Sequence, residues 1–84
     1  MKIHVRLFAS LRDRLPRADR GRGDVELRDG ASLQDLLDHL GIPVEQSQMV
    51  LIDGQQSPRQ VAQRAAIPLS GGHTVSIFPP LAGG

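Results

Sequence analysis

The last six residues, Pro79-Pro80-Leu81-Ala82-Gly83-Gly84, place a carboxylate on an unusual stem. A proline fixes φ at about −65° and disfavours both sheet and helix, so Pro79 and Pro80 end the preceding strand and launch the chain outward as a semi-rigid spacer. At ~3.3 Å per residue, the stretch from Pro79 to Gly84 reaches up to roughly 20 Å, enough to enter another protein's active site. Gly83 and Gly84 carry no Cβ, so the tip can thread a narrow channel and adopt backbone angles closed to other residues. An α-carboxyl group titrates at ~3.5, which makes Gly84 an ionised, sterically open oxygen nucleophile at neutral pH. Such a carboxylate can attack the α-phosphate of ATP once a partner neutralises the phosphates, and the mixed anhydride formed makes the Gly84 carbonyl electrophilic. A frayed end of small residues is the plain alternative, but it gives no reason for two consecutive prolines.

No other group offers comparable chemistry. His4, His39 and His73 stand apart, without a second ligand at helical spacing or a nearby cysteine, which argues against metal binding. Ser57, Ser70 and Ser76 lack a nucleophile-elbow context, and Asp35 with Asp38 read as the solvated face of a helix. The chain has no cysteine, which removes disulfides, thiolate ligands and cysteine nucleophiles and suits a reducing compartment. Net charge is +1, yet eight of the ten basic residues fall between Lys2 and Arg28. Asp13, Asp19 and Asp24 interrupt the run Arg12, Arg14, Arg17, Arg20, Arg22, and no aromatic accompanies it, so a solvated loop is expected there and no nucleic-acid partner. No apolar run approaches the ~20 residues of a membrane span, and Met1-Lys2 leads directly into an alternating pattern. A cytoplasmic protein with no membrane partner is expected.

The elements that must hold the tail are legible from periodicity. Ile3, Val5 and Leu7 alternate with Lys2, His4 and Arg6, predicting a strand over 2–8 with one buried face. The stretch ASLRDRL forms a short helix that Pro16 stops, and PRADRGRG reads as an exposed loop. Val25 and Leu27 predict a second strand that ends at the turn RDG. Ser32 as N-cap with Asp35 three residues on, followed by Leu33, Leu36, Leu37 and Leu40, predicts an amphipathic helix that Gly41 and Pro43 terminate. MVLIDG is a third strand closed by an Asp-Gly turn, and HTVSIF a last one with Val75 and Ile77 on one face. SPRQVAQRAAIPLSGG has room for one helical turn. One apolar helix stripe and one apolar sheet face must cover each other. The expected fold is therefore α+β: a ubiquitin-like β-grasp domain over 1–78, a four- to five-stranded mixed sheet with its first and last strands adjacent and parallel, followed by the tail 79–84.

The only aromatic residues, Phe8 and Phe78, have opposite parity to the buried residues of their strands. With the first and last strands adjacent, both rings fall on the sheet face away from the helix, where a partner can cover them.

The ending FPPLAGG, the start IHVRLFASLRD and the element order resemble the MoaD/ThiS family of ubiquitin-like sulfur carriers, most of all its molybdopterin-synthase small-subunit branch. The resemblance spans essentially the whole chain. It implies that Gly84, preceded by Gly83, is adenylated with Mg²⁺-ATP by an E1-like adenylating and sulfurating enzyme of the MoeB/ThiF type. Sulfide from a sulfur donor protein then displaces AMP to leave a C-terminal thiocarboxylate. It also implies that Phe8, Phe78, Pro79, Pro80, Leu81 and Ala82 meet a large MoaE-type subunit of molybdopterin synthase, where the sulfur enters molybdenum cofactor biosynthesis. On this reading the chain binds no cofactor itself and is a carrier more than an enzyme. Thiamine, another sulfur metabolite or thiolated tRNA remain open as sulfur acceptors, as do conjugation to protein lysines and a β-grasp binding module that never uses its carboxylate.

Overall fold

The computed structural model describes residues 1–14 and 20–80. The expected loop over 16–23 lies partly outside the described residues, and Leu81, Ala82, Gly83 and Gly84 lie wholly outside them.

Strict alternation along the first strand produces β1, Lys2–Leu7, with every second residue buried. Phe8 falls just past the end of β1 because Ala9 takes a φ of 53° and turns the chain away. A 3-10 helix, Ala9–Arg14, follows and seats Leu11 in the core. β2, Arg22–Glu26, starts earlier than the Val25–Leu27 alternation suggests. It ends before Leu27, whose N–H donates to the Met1 carbonyl at 2.9 Å and whose carbonyl accepts from the Met1 ammonium at 2.6 Å.

α1, Leu33–Leu40, begins on a complete capping box. The Ser32 hydroxyl accepts from the Asp35 N–H at 3.1 Å, and the Asp35 carboxylate accepts from the Ser32 N–H at 2.8 Å, so two backbone donors without helical partners are satisfied. Gly41 closes the helix at φ 70°, a left-handed angle that side chains resist. Leu33, Leu36, Leu37 and Leu40 are all buried. β3, Met49–Ile52, and the two-residue β4, Gln55–Gln56, flank Asp53 and Gly54, both at positive φ, as a tight primed hairpin turn requires.

The five strands, with β5 spanning Thr74–Phe78, lie in the order β2-β1-β5-β3-β4. β1 and β5 are parallel at the centre, and the remaining pairs are antiparallel. α1 covers one face of this sheet. Ile3, Val5, Leu7, Val50, Val75 and Ile77 from the strands meet the leucine stripe in one aliphatic cluster. This is the β-grasp arrangement.

The nearly aperiodic segment before β5 is organised by a buried charge. α2, Val61–Ala65, carries Arg64, which is 0% exposed. Its guanidinium donates to the Ser47 hydroxyl at 2.8 Å, the Ser47 carbonyl at 2.9 Å and the Pro58 carbonyl at 2.7 Å. These three acceptors offset the desolvation that burial imposes. Burial pushes the Arg64 pKa below its ordinary value, and the neighbouring Arg59 charge adds to the effect.

Two consequences can be measured. Replacing Leu36 by Ala should lower stability by about 2–5 kcal/mol, read as a reduced denaturation midpoint, because Leu36 is fully buried under the sheet. The hydrogen bond from the Ser32 backbone N–H holds the Asp35 carboxyl below its ordinary 3.8, helped by the Ser32 hydroxyl and Arg28 against partial desolvation. A depressed folded pKa gives stability that is present above 3.8 and lost as pH falls through the lower folded value. Asp35→Asn should therefore lower the unfolding midpoint at neutral pH, and the difference from the unchanged protein should shrink as the solution is acidified through that range.

Candidate functional site

Phe8 and Phe78 reach the same place because parallel pairing sets Leu7 opposite Ile77. One residue beyond each, both chains present a ring to the uncovered face of the sheet. The rings stack with centroids 4.2 Å apart and planes 11° from parallel. Each ring is half-buried, since each covers one face of the other. The parity reading placed them correctly, although they form one stacked unit instead of two separate exposed side chains. The Arg6 guanidinium lies 5.6 Å from the Phe8 centroid, at cation–π range.

Around this stack runs an open, largely apolar groove. Pro79 and Pro80, which follow β5 directly, contribute to its lining together with Met49. Met49 is the cross-strand partner of Phe78 on β3 and is 40% exposed, so an apolar thioether extends the aromatic surface. Gln48 and Arg59 close one side. The Arg64 hydrogen bonds hold the residues next to them, Ser47 and Pro58, and so brace that wall. Met49, Gln48 and Arg59 escape a reading of single motifs. The signal that would find Met49 is its position on the open face of β3, beside a strand whose own alternation is clear.

Of the residues expected to bind a partner, Phe8, Phe78, Pro79 and Pro80 come together here, while Leu81, Ala82, Gly83 and Gly84 lie outside the described residues. The histidines do not converge. His4 pairs with Asp24 at 2.6 Å, His73 lies 3.8 Å from Asp53, and His39 sits exposed on α1. Among the described residues no group of three or more His, Cys, Asp or Glu side chains is placed to hold a metal, and no helix is long and apolar enough to cross a membrane.

The model of the ThiS family matches residues 5–84, which include β5, the proline pair and the final glycines. The chain belongs to the ThiS family. It is thus of the MoaD/ThiS type of ubiquitin-like sulfur carriers. Solved structures agree on the fold of this ThiS-family chain. SAMP1 from Haloferax volcanii superposes with a TM-score of 0.69 at 21% identity, over 100% of both chains. Subunit 1 of a molybdopterin converting factor from Pyrococcus furiosus gives 0.69 at 19% identity, over 96% of this chain and 99% of that one. A chain in the complex of subunits 1 and 2 of molybdopterin-converting factor from Helicobacter pylori gives 0.60 at 17% identity, over 100% of both. No curated protein sequence matches significantly.

The stacked pair predicts energetic coupling. In a double-mutant cycle of Phe8→Leu and Phe78→Leu, followed by urea unfolding, the two rings should couple by about 0.5–1.5 kcal/mol. Additive losses would mean that the rings act as independent surface groups.

Proposed function

We propose that the Gly84 carboxylate of this ThiS-family chain is a sulfur-carrying group in molybdopterin biosynthesis. An E1-like enzyme using Mg²⁺-ATP activates it, and the chain then docks as the small subunit of molybdopterin synthase. The carboxylate oxygen attacks the α-phosphorus of ATP and expels pyrophosphate. Sulfide from a donor protein attacks the Gly84 carbonyl of the acyl adenylate and AMP leaves, giving the thiocarboxylate. Transfer of that sulfur to a pterin precursor, with water supplying the replacing oxygen, regenerates the carboxylate. These steps take place in the cytoplasm.

The observation that carries this reading is the exit of the chain from the middle of the sheet. β5 is the central strand and ends on the Phe8–Phe78 stack, and Pro79-Pro80 begins there. A large subunit that covers the exposed stack thereby receives the tail beside its own surface, with the tip held within ~20 Å. The Helicobacter pylori relative lies in a complex with a second subunit, which supports such a partner for this chain. A second reading, conjugation of Gly84 to protein lysines, is favoured by the likeness to a Haloferax volcanii protein described as a small archaeal modifier.

Mass spectrometry separates the readings. Incubated with its activating enzyme, Mg²⁺-ATP and a sulfur donor, the intact protein should gain the mass difference between sulfur and oxygen, located by fragmentation on Gly84. Deleting Gly84 or adding one residue after it should abolish the gain, because the carboxylate no longer meets the adenylation geometry. Gly83→Val should be nearly as damaging, since a β-branched side chain obstructs the passage and restricts the backbone. Folding should survive all three changes. Sulfur on the truncated or extended protein would sink the carrier reading, and isopeptide adducts through Gly84 in place of a thiocarboxylate would establish the modifier.

A further inference from the structure

We propose that Arg6, Arg12, Arg20 and Arg22 form a docking groove for an acidic segment of a protein partner, one whose adjoining apolar segment lies on Phe8 and Phe78. The proposal does not depend on the chemistry of Gly84. The sequence suggests a solvated loop for the arginines from Arg12 to Arg22, and the proposal gives three of them a shared role with Arg6 of β1.

The four side chains are far apart in sequence and are gathered by the fold. Arg6 and Arg22 are cross-strand partners on β1 and β2, and Arg12 comes from the 3-10 helix after β1. Arg20 and Arg22 flank Gly21, whose carbonyl accepts from the Leu7 N–H at 2.7 Å. That approach admits only glycine, because a Cβ at position 21 would lie 2.3 Å from the Leu7 carbonyl oxygen and φ there is 81°. Arg20 itself takes a φ of 54°, uncommon for a residue with a side chain. The turn that brings two arginines against β1 is therefore sterically specified.

Together with Leu7 and Phe8 these arginines line a groove of about 480 Å³. All four are exposed, and among the described residues none lies within ion-pair distance of a carboxylate. Asp24, two residues along β2 from Arg22, is engaged by His4 at 2.6 Å. Among the described residues no carboxylate pairs with these like charges, and an acidic ligand relieves their mutual repulsion. Arg6 is already oriented by the Phe8 ring, so its planar donor fork is preorganised for a carboxylate.

The choice of a protein partner rests on continuity and on charge. Phe8 is shared between the basic groove and the apolar groove, so one bound segment can span both. Nucleic acid is disfavoured because the whole chain carries only +1. Phe8 and Phe78 are the only aromatic residues of the chain and stack on each other, so no series of rings runs along the basic groove for successive bases to stack on.

The test is an NMR titration of the full-length labelled protein with three probes. They are a synthetic peptide of three aliphatic residues followed by four glutamates, its glutamine counterpart, and a single-stranded oligothymidine. The acidic peptide should shift the arginine side-chain signals of Arg6, Arg12 and Arg22 together with the Phe8 ring. It should bind roughly tenfold more tightly than the glutamine peptide, as expected when several partly exposed charge pairs act together. Arg12→Gln combined with Arg22→Gln should remove that advantage, as should high salt, whereas Arg28→Gln on the helix side should leave it intact. Should the double variant lose its fold, Arg12→Gln alone is to be read. Equal affinity for both peptides, or no arginine shift at millimolar acidic peptide, overturns the proposal. Tighter binding of the oligonucleotide also overturns it and assigns the groove to nucleic acid.

Discussion

Parallel pairing of β1 with β5 puts the first and last strands side by side, pointing the same way, so that Pro79 leaves the sheet beside Phe8 and at the opposite end from Met1. Parallel neighbours cannot be joined by a tight turn, so everything between them, including α1 and α2, is one long crossover connection. Within that arrangement Leu7 and Ile77 pack inward against the α1 leucines while the next residue on each chain turns outward. The aliphatic core and the aromatic stack are thus consecutive registers of a single ladder. A slip of one residue would bury Phe8 and expose Leu7, and the many aliphatic contacts of Leu7 and Ile77 resist it.

Two grooves meet at Phe8, and their walls differ in origin. On one side the 3-10 helix and the Gly21 turn set guanidinium groups against Phe8. On the other, Arg64 ties the segments carrying Gln48 and Arg59 together through backbone and hydroxyl acceptors alone. A buried guanidinium with three fixed acceptors is directional in a way that an apolar contact is not, and its loss would leave Ser47 and Pro58 acceptors buried without donors. A loop segment such as the one carrying Pro58 has many backbone paths open to it in the absence of fixed partners. Arg64 selects one path, and with it the shape of the groove wall that carries Gln48 and Arg59.

Much of this was legible in the sequence wherever a period or a cap repeats a physical rule. Ile3, Val5 and Leu7 announce their strand, and Ser32, Asp35 and Gly41 bound their helix, because these signals are local. The parity of Phe8 and Phe78 gave their common face, but the direct stacking needed the register between strands 70 residues apart in the chain, which alternation does not encode. The stretch from Ser57 to Leu69 was opaque for a related reason. Its organising residue, Arg64, is charged, and charged side chains are almost never fully buried, so nothing local marks it as a core position. That Arg6, Arg12, Arg20 and Arg22 line one groove was not legible, because the relevant adjacency is across strands and around a turn.

The composition of the core has a consequence for how the molecule can be observed. With no tryptophan or tyrosine, Phe8 and Phe78 are the only chromophores of the ring type in the protein, and both lie in the groove floor. The fine structure of the phenylalanine absorption and circular dichroism bands therefore arises entirely from this stacked pair, with nothing from the interior to overlay it. A protein with no other aromatic ring to absorb in that range carries a built-in reporter at the point where Pro79 and Pro80 leave the sheet.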